Sequence, residues 1–255
     1  MDINTKNKKI REIIHSFVLL SCLFTAVTVI LGHSASNFIS KPDADVSAEP
    51  KGSKKLVVID PGHGGEDGGA VAADGTLEKT LNLEFSKTLY ATCKVLGIDA
   101  VMTRDTDTLL YDKYSDLEDY SGKKKVYDLK NRLRFTEECG DDVLFVGVHM
   151  NKFSATRYSG TQIYYSPNSE KSAEMAQLLQ NKIKTALQPE NDREIKKAGS
   201  SIFLLKRLTV PAVLIECGFL SNEAETLRLC STDYKKEFSL TTAVAIGEFI
   251  NSYNR

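Results

Sequence analysis

No charge of either sign predominates in this chain: across 255 residues, 33 lysines and arginines stand against 34 aspartates and glutamates, a formal net charge of −1. Without a basic excess there is no global field to attract a polyanion, and nucleic acid is not expected as a partner. Cysteine is scarce and unpatterned. Cys22, Cys93, Cys139, Cys217 and Cys230 form no C-x-x-C pair and no regular framework, which argues against a thiolate metal site and a small disulfide-stapled fold while leaving a single disulfide open. Also missing are the lysine-bearing phosphate loop, a G-x-G-x-x-G turn entering a helix in frame, and the G-x-S-x-G elbow. Nucleotide binding and serine nucleophilic catalysis therefore lack their parts. Internal repeats and low-complexity tracts are absent as well.

What is present divides into a leader and a domain. Lys6, Lys8, Lys9 and Arg11 precede an uninterrupted apolar run over residues 17–31, in which Cys22 lies, and Ser34, Ala35 and Ser36 follow. A basic stretch, an apolar core and small residues describe an export signal. The run is shorter than the about 20 residues that usually span a bilayer, so cleavage and retention as an anchor both stay open. Residues 1–36 are read as export signal or signal-anchor, engaging the membrane or the export machinery. Residues 37–53, rich in small and polar groups, are read as a linker, and residues 54–255 as one folded domain, a size suited to a single buried core.

Within the domain, apolar runs with strand character at 56–59, 98–103, 143–148, 161–165, 202–205 and 211–215 alternate with helical periodicity at 77–96, 126–139, 170–187, 223–230 and 234–253. Such alternation predicts an α/β fold, a mostly parallel central sheet of about six strands with helices on both faces. Gly97 suits the end of the first helix. The polar stretch 105–125 is the longest expected loop. In such sheets ligands collect beyond the carboxyl ends of the strands. That rule selects His63, His149 and Glu216, each of which directly follows or ends an apolar strand.

Two of the four histidines, His15 and His33, belong to the leader region, leaving His63 and His149 for the domain. A single histidine at a strand end is usually structural; two at equivalent positions on one sheet edge suggest a metal. Catalytic zinc commonly takes three protein ligands, and two imidazoles with one carboxylate form a known set. Spacing alone leaves Glu66, Asp67 and Glu78 open for the carboxylate. Glu216, delivered by the apolar run 211–215, needs either a buried cationic partner such as Arg132 or a chemical purpose. A carboxylate there can take a proton from attacking water and return it to a leaving amine. Cys217 is a weaker rival, since strand alternation points it to the opposite face.

Four ordered motifs carry a resemblance: Val58-Ile59-Asp60-Pro61-Gly62-His63-Gly64-Gly65, Glu78-Lys79, His149-Met150-Asn151, and Glu216-Cys217-Gly218-Phe219-Leu220-Ser221-Asn222. Together the domain resembles the zinc-dependent N-acetylmuramoyl-L-alanine amidases of the amidase 3 type, from about Lys54 to Tyr253. The resemblance implies that His63, Glu78 and His149 bind one zinc ion per chain and that Glu216 is the catalytic glutamate. It also implies that Asn151 contacts substrate or orients the His149 loop, and that Arg132 plays a supporting role. Gly147-Val148-His149 departs from the Ser-Ile-His frequent in the family, which bears on one hydrogen bond around the metal.

The stretches Met102-Thr103-Arg104-Asp105-Thr106-Asp107 and Phe203-Leu204-Leu205-Lys206, with the run from Gly218 to Asn222, further resemble the spore-cortex branch, whose members help generate muramic δ-lactam. The implied reaction hydrolyses the amide between N-acetylmuramic acid and the L-alanine of the peptidoglycan stem. The implied location is outside the cytoplasmic membrane, secreted or anchored, at the wall or in the forespore intermembrane space. No wall-binding repeat accompanies the domain, consistent with a small enzyme held near its peptidoglycan substrate by location or by a partner protein, of which an activating protein is one candidate. Two rivals are an inert wall-binding module and a zinc peptidase that cuts within the stem.

Overall fold

Strand β1 (Leu56–Pro61) forms because Val57, Val58 and Ile59, all β-branched, are wholly buried between two layers of helices. Burying each side chain contributes roughly 1.5–3 kcal/mol. The computed structural model describes residues 55–110 and 123–253. The readings of residues 1–36 and 37–53, and most of the expected 105–125 loop, lie outside these. Among the described residues, no helix is long and apolar enough to cross a membrane.

Six strands follow the order β2-β1-β3-β6-β4-β5. The others are β2 (Ala100–Met102), β3 (Val143–Asn151), β4 (Gln162–Tyr165), β5 (Lys196–Lys197) and β6 (Ala212–Phe219). Strands β2, β1, β3 and β6 pair in parallel, β4 lies antiparallel to β6, and β5 is parallel to β4. The expected α/β class with a mostly parallel sheet is therefore observed, turned into a mixed sheet on one side.

Helices α1 (Glu78–Val95), α3 (Glu170–Leu187) and α6 (Thr232–Tyr253) cover one face, where Leu81, Phe85, Met175, Leu179, Ile246 and Phe249 meet the inward side chains of β1, β3 and β6. On the opposite face α2 (Lys124–Glu138) and α4 (Phe203–Arg207) pack Leu129, Leu133, Leu204 and Leu205 against Val58, Phe145 and Ala212. A short helix, α5 (Glu223–Cys230), follows β6. Helix α1 ends as anticipated at Gly97, whose φ of 71° turns the chain while Ile98 N donates to Cys93 O at 2.9 Å.

Residues 202–205, expected as a strand, instead enter helix α4. A four-residue apolar run has no resolvable periodicity, and here it buries Leu204 and Leu205 on one helical side. Strand β5 went unforeseen because it is two lysines at the sheet edge, exposed and without apolar signal. The four cysteines among the described residues are all free, which closes the question of a disulfide between them.

Candidate metal centre

The turn after β1, the start of α1 and the adjacent strands β3 and β6 bring the polar residues together. β1 runs through Asp60-Pro61 into a glycine-rich turn in which His63 adopts φ 61°, the one positive φ outside glycine among the described residues. Such a conformation costs of order 1–3 kcal/mol and persists only when surroundings enforce it. Two buried arginines enforce it here. Arg132 donates to Pro61 O at 2.7 Å and His63 O at 2.6 Å, while Arg104 donates to Pro61 O and Gly62 O at 2.9 Å each. Carbonyl oxygens facing inward are thus satisfied by cations, and the imidazole is turned the other way.

Glu78 arrives from a different direction. Residues 69–77 form a narrow loop closed by a bridge between Val71 and Leu77, and Glu78 opens α1 with its N–H on Ala70 O at 2.8 Å. Its Oε2 accepts from Ala70 N at 2.8 Å, leaving Oε1 facing both histidines. That oxygen lies 3.2 Å from His63 Nε2 and 3.0 Å from His149 Nδ1. His149 is supplied by β3, next to β1, and its ring centroid is 5.2 Å from that of His63. One donor atom from each of the three residues falls within 4.8 Å of the others.

The donor set fits a metal ion. Asp67 Oδ2 lies 2.9 Å from His63 Nδ1, and since an ionised carboxylate only accepts, the ring proton sits on that nitrogen. Nε2 then faces the anionic Glu78 oxygen at 3.2 Å, so the gap between them calls for positive charge, which either a proton or a metal ion supplies. Ligands about 2.0–2.1 Å from one tetrahedral ion stand roughly 3.4 Å apart, close to the 3.2 and 3.0 Å separations here. Burial works to raise the Glu78 pKa, but hydrogen bonds and charge from His149 and His63 hold it far below the usual carboxylate range. Burial likewise opposes protonation of His63, and Glu78 and Asp67 overcome it and raise its pKa.

Two glycines are required for this convergence. A Cβ on Gly62 would lie 2.1 Å from the His149 ring, and one on Gly69 would lie 2.6 Å from Glu78 Oε2, at a φ of 68°. Both positions are places where backbone must pass directly beneath the side chain of His149 or Glu78.

Glu216 stands beside His149, its direct register partner across β3 and β6. Its Oε2 is buried and has no hydrogen-bond partner. Burial, reinforced by the Glu78 charge and opposed by the two histidines, pushes its pKa up to about 7. A pocket of about 250 Å3 joins His63, His149 and Glu216 to an apolar wall that includes Phe145, Phe203 and Leu214.

The remaining sequence candidates separate cleanly. Arg132 is not the partner of Glu216: it pairs with Asp60 at 2.7 Å and Asp128 at 2.8 Å, and is 1 % exposed. Of the rival carboxylates, Glu66 pairs with Lys124 at 2.9 Å, and Asp67 orients His63 from behind. Cys217 sits in the core on the opposite face, its thiol pushed well above the ordinary value by burial, which removes it as a nucleophile. Asn151 lies past the β-bulge after His149 and lines a neighbouring cleft. A Cβ on Gly147 would meet Leu214 and Phe145 at 3.5 Å, an ordinary contact, so the departure from serine leaves an apolar surface without a backbone requirement.

Arg104 was given no role in the site by sequence reasoning, although it follows β2 where site residues collect. Lys79 was likewise passed over; its Nζ donates to Gly65 O at 2.5 Å and to Asp107 Oδ2 at 2.7 Å, closing the glycine turn from outside.

Residues 57–248 match the sequence model of a family described as N-acetylmuramoyl-L-alanine amidase. A germination-specific N-acetylmuramoyl-L-alanine amidase of Bacillus subtilis is 32% identical over 183 residues, covering 72% of this chain and 74% of that protein. Among solved structures, the CwlD amidase from Clostridioides difficile, in complex with the GerS lipoprotein, superposes with a TM-score of 0.71 at 32% identity, over 78% of this chain and 99% of that one. The amidase AmiC2 of Nostoc punctiforme gives 0.63 at 27% identity, over 78% and 98%.

Proposed function

The chain belongs to the N-acetylmuramoyl-L-alanine amidase family, and from that premise we propose that it is a zinc enzyme whose ligands are His63, Glu78 and His149 and whose general acid/base is Glu216. The observation that carries this reading is the convergence of three donor atoms within 4.8 Å of one another beside a buried carboxylate oxygen that has no partner.

Held by His63, Glu78 and His149, zinc would supply Lewis acidity that makes water a better nucleophile near neutral pH and the scissile carbonyl a better electrophile. The protein's own groups do the rest. Asp67 fixes the tautomer and direction of His63, and Arg132 and Arg104 clamp the turn that bears it. Glu216 Oε2 takes a proton from the hydrolytic water as it attacks the lactyl carbonyl, then returns it to the alanine nitrogen as the amide breaks. The apolar wall of the pocket excludes bulk water, which strengthens each electrostatic interaction within.

The likeness to a germination-specific amidase and to CwlD supports action on spore cortex, on the path to muramic δ-lactam. It also supports an activating partner protein, as the C. difficile enzyme was solved with a lipoprotein. Activity on peptidoglycan further implies export, for which residues 1–36 are the proposed signal or anchor.

Digestion of purified cortex and vegetative peptidoglycan tests the reading. Intact stem peptides with a free L-alanine amino terminus, and glycan stripped of peptide, are expected from the holoenzyme. Activity should vanish with chelator and return with zinc. Fragments cut within the stem would mark a peptidase instead.

A further inference from the structure

Beside the metal centre lies a second cleft that the chemistry above does not use. Strand β4 pairs with β6 so that Gln162 stands opposite Glu216 and Tyr164 opposite Leu214. Directly paired residues share a face of the sheet, so Gln162 and Tyr164 continue the surface on which Glu216 lies, one strand further out. Lys196, paired with Tyr164 from β5, extends it by another strand. These residues, with Arg193, Tyr158 and Phe219, enclose about 290 Å3.

The walls are aromatic and the charge is positive. Arg193 sits with its guanidinium carbon 4.4 Å from the centre of the Phe219 ring and 5.6 Å from that of Tyr158. Its Nε donates to Ser159 O at 2.7 Å and its Nη1 reaches Gln162 Oε1 at 3.5 Å. Neither Arg193 nor Lys196 forms an ion pair with any carboxylate among the described residues, whereas the arginines beneath the metal centre are fully engaged. A guanidinium oriented by rings and a carbonyl, in a cleft that a lysine also lines and with no acid paired to either, is a receptor for a carboxylate.

We propose that this cleft is the subsite for the peptide side of the substrate, with Arg193 and Lys196 binding a free stem-peptide carboxylate. The inference rests on the amidase reading of the adjoining centre. Two strand spacings separate Glu216 from the β5 edge, roughly 10 Å, which an extended peptide covers in about three residues. A carboxylate borne by the second or third residue of the stem lies within that reach. The glycan then leaves the scissile bond on the opposite side, along the pocket that contains Phe203.

The test uses two synthetic muramoyl peptides that differ only in whether the second residue carries a free α-carboxylate or its primary amide. The wild-type holoenzyme is expected to favour the acid about tenfold in kcat/KM, mainly through KM, as one charge-assisted contact provides. Arg193→Gln and Lys196→Gln should each reduce that ratio, their combination should bring it close to one, and Arg193→Lys should keep part of it. Unfolding curves and zinc content taken alongside identify a variant damaged in fold. An equal loss on acid and amide in a folded, zinc-loaded variant overturns the subsite, and so does a wild-type enzyme indifferent to the carboxylate. Sensitivity to glycan length in place of peptide charge would reassign the cleft to sugar. Failure of the wild type to cleave either probe or peptidoglycan would instead refute the amidase reading.

Discussion

The two sides of Glu216 are built on opposite electrostatic plans. Toward β1, ionic groups beneath the proposed metal centre are shut from water and matched: Arg132 with Asp60 and Asp128, and Arg132 and Arg104 with the carbonyls of the glycine turn. Toward β4 and β5, Arg193 lies against aromatic rings and Lys196 is exposed, and neither pairs with a carboxylate among the described residues. A matched buried network holds backbone in a strained shape and leaves nothing to offer a ligand. An unmatched pair, half-buried at Arg193 and exposed at Lys196, has lost little hydration and keeps its charge available. The same residue type serves as scaffold on one side and as receptor on the other.

Several substitutions can break or sharpen that contrast. The largest effect is expected at the boundary itself: Glu216→Gln should retain zinc but lose about a thousandfold in kcat, since it removes the proton acceptor without disturbing the ligands. Single-turnover assays with metal analysis would show it, and near-normal turnover would remove Glu216 from the chemistry. Arg132→Met should cost about 3 kcal/mol in urea unfolding, because Asp60 and Asp128 would be left buried without their cation. Arg193→Gln, by contrast, should cost less than about 1 kcal/mol; equal losses at the two arginines would erase the distinction.

Smaller effects follow from the groups around the ligands. Asp67→Asn should weaken zinc binding by about tenfold to a hundredfold, measured by competition with a chromogenic chelator, because the His63 tautomer is no longer fixed by an anion. The smallest is a pH effect. Burial opposes ionisation of Asp60, but Arg132 and the Thr103 hydroxyl hold its pKa below the ordinary value. A depressed folded pKa contributes stability above the unfolded value of about 3.9, and this is lost as pH falls toward the folded value. The urea midpoint should therefore decline on acidification below about pH 5, and Asp60→Asn, less stable throughout, should show a flatter decline.

Much of this molecule was legible before folding. Strand β1 could be read because four consecutive apolar residues ended in Asp-Pro-Gly, and helices α3 and α5 because their apolar spacing was long enough to show a period. His63, His149 and Glu216 could be selected because each follows an apolar run with strand character, although β3 and β6 continue past His149 and Glu216 to Asn151 and Phe219. What failed did so for identifiable reasons. Residues 202–205 were too few to distinguish helix from strand, and β5, two exposed lysines, carried no burial signal at all. Glu78 could not be chosen over Glu66 and Asp67 from spacing, because its approach depends on how the 69–77 loop folds back over His63.

By itself, then, the amino-acid order determined the parallel strand-helix alternation, the edge at which reactive groups would collect, and the kinds of group available there, since all of these follow from local periodicity and side-chain chemistry. Only the folded chain decided how Glu78, which motif resemblance but not spacing had singled out, comes to face the imidazoles, that Asp67 stands behind His63, that Arg132 binds Asp60 and not Glu216, and that Arg193 meets no acid among the described residues. Those outcomes depend on distances between residues far apart in the chain, and a distance of that kind exists only after the strands have taken their order in the sheet.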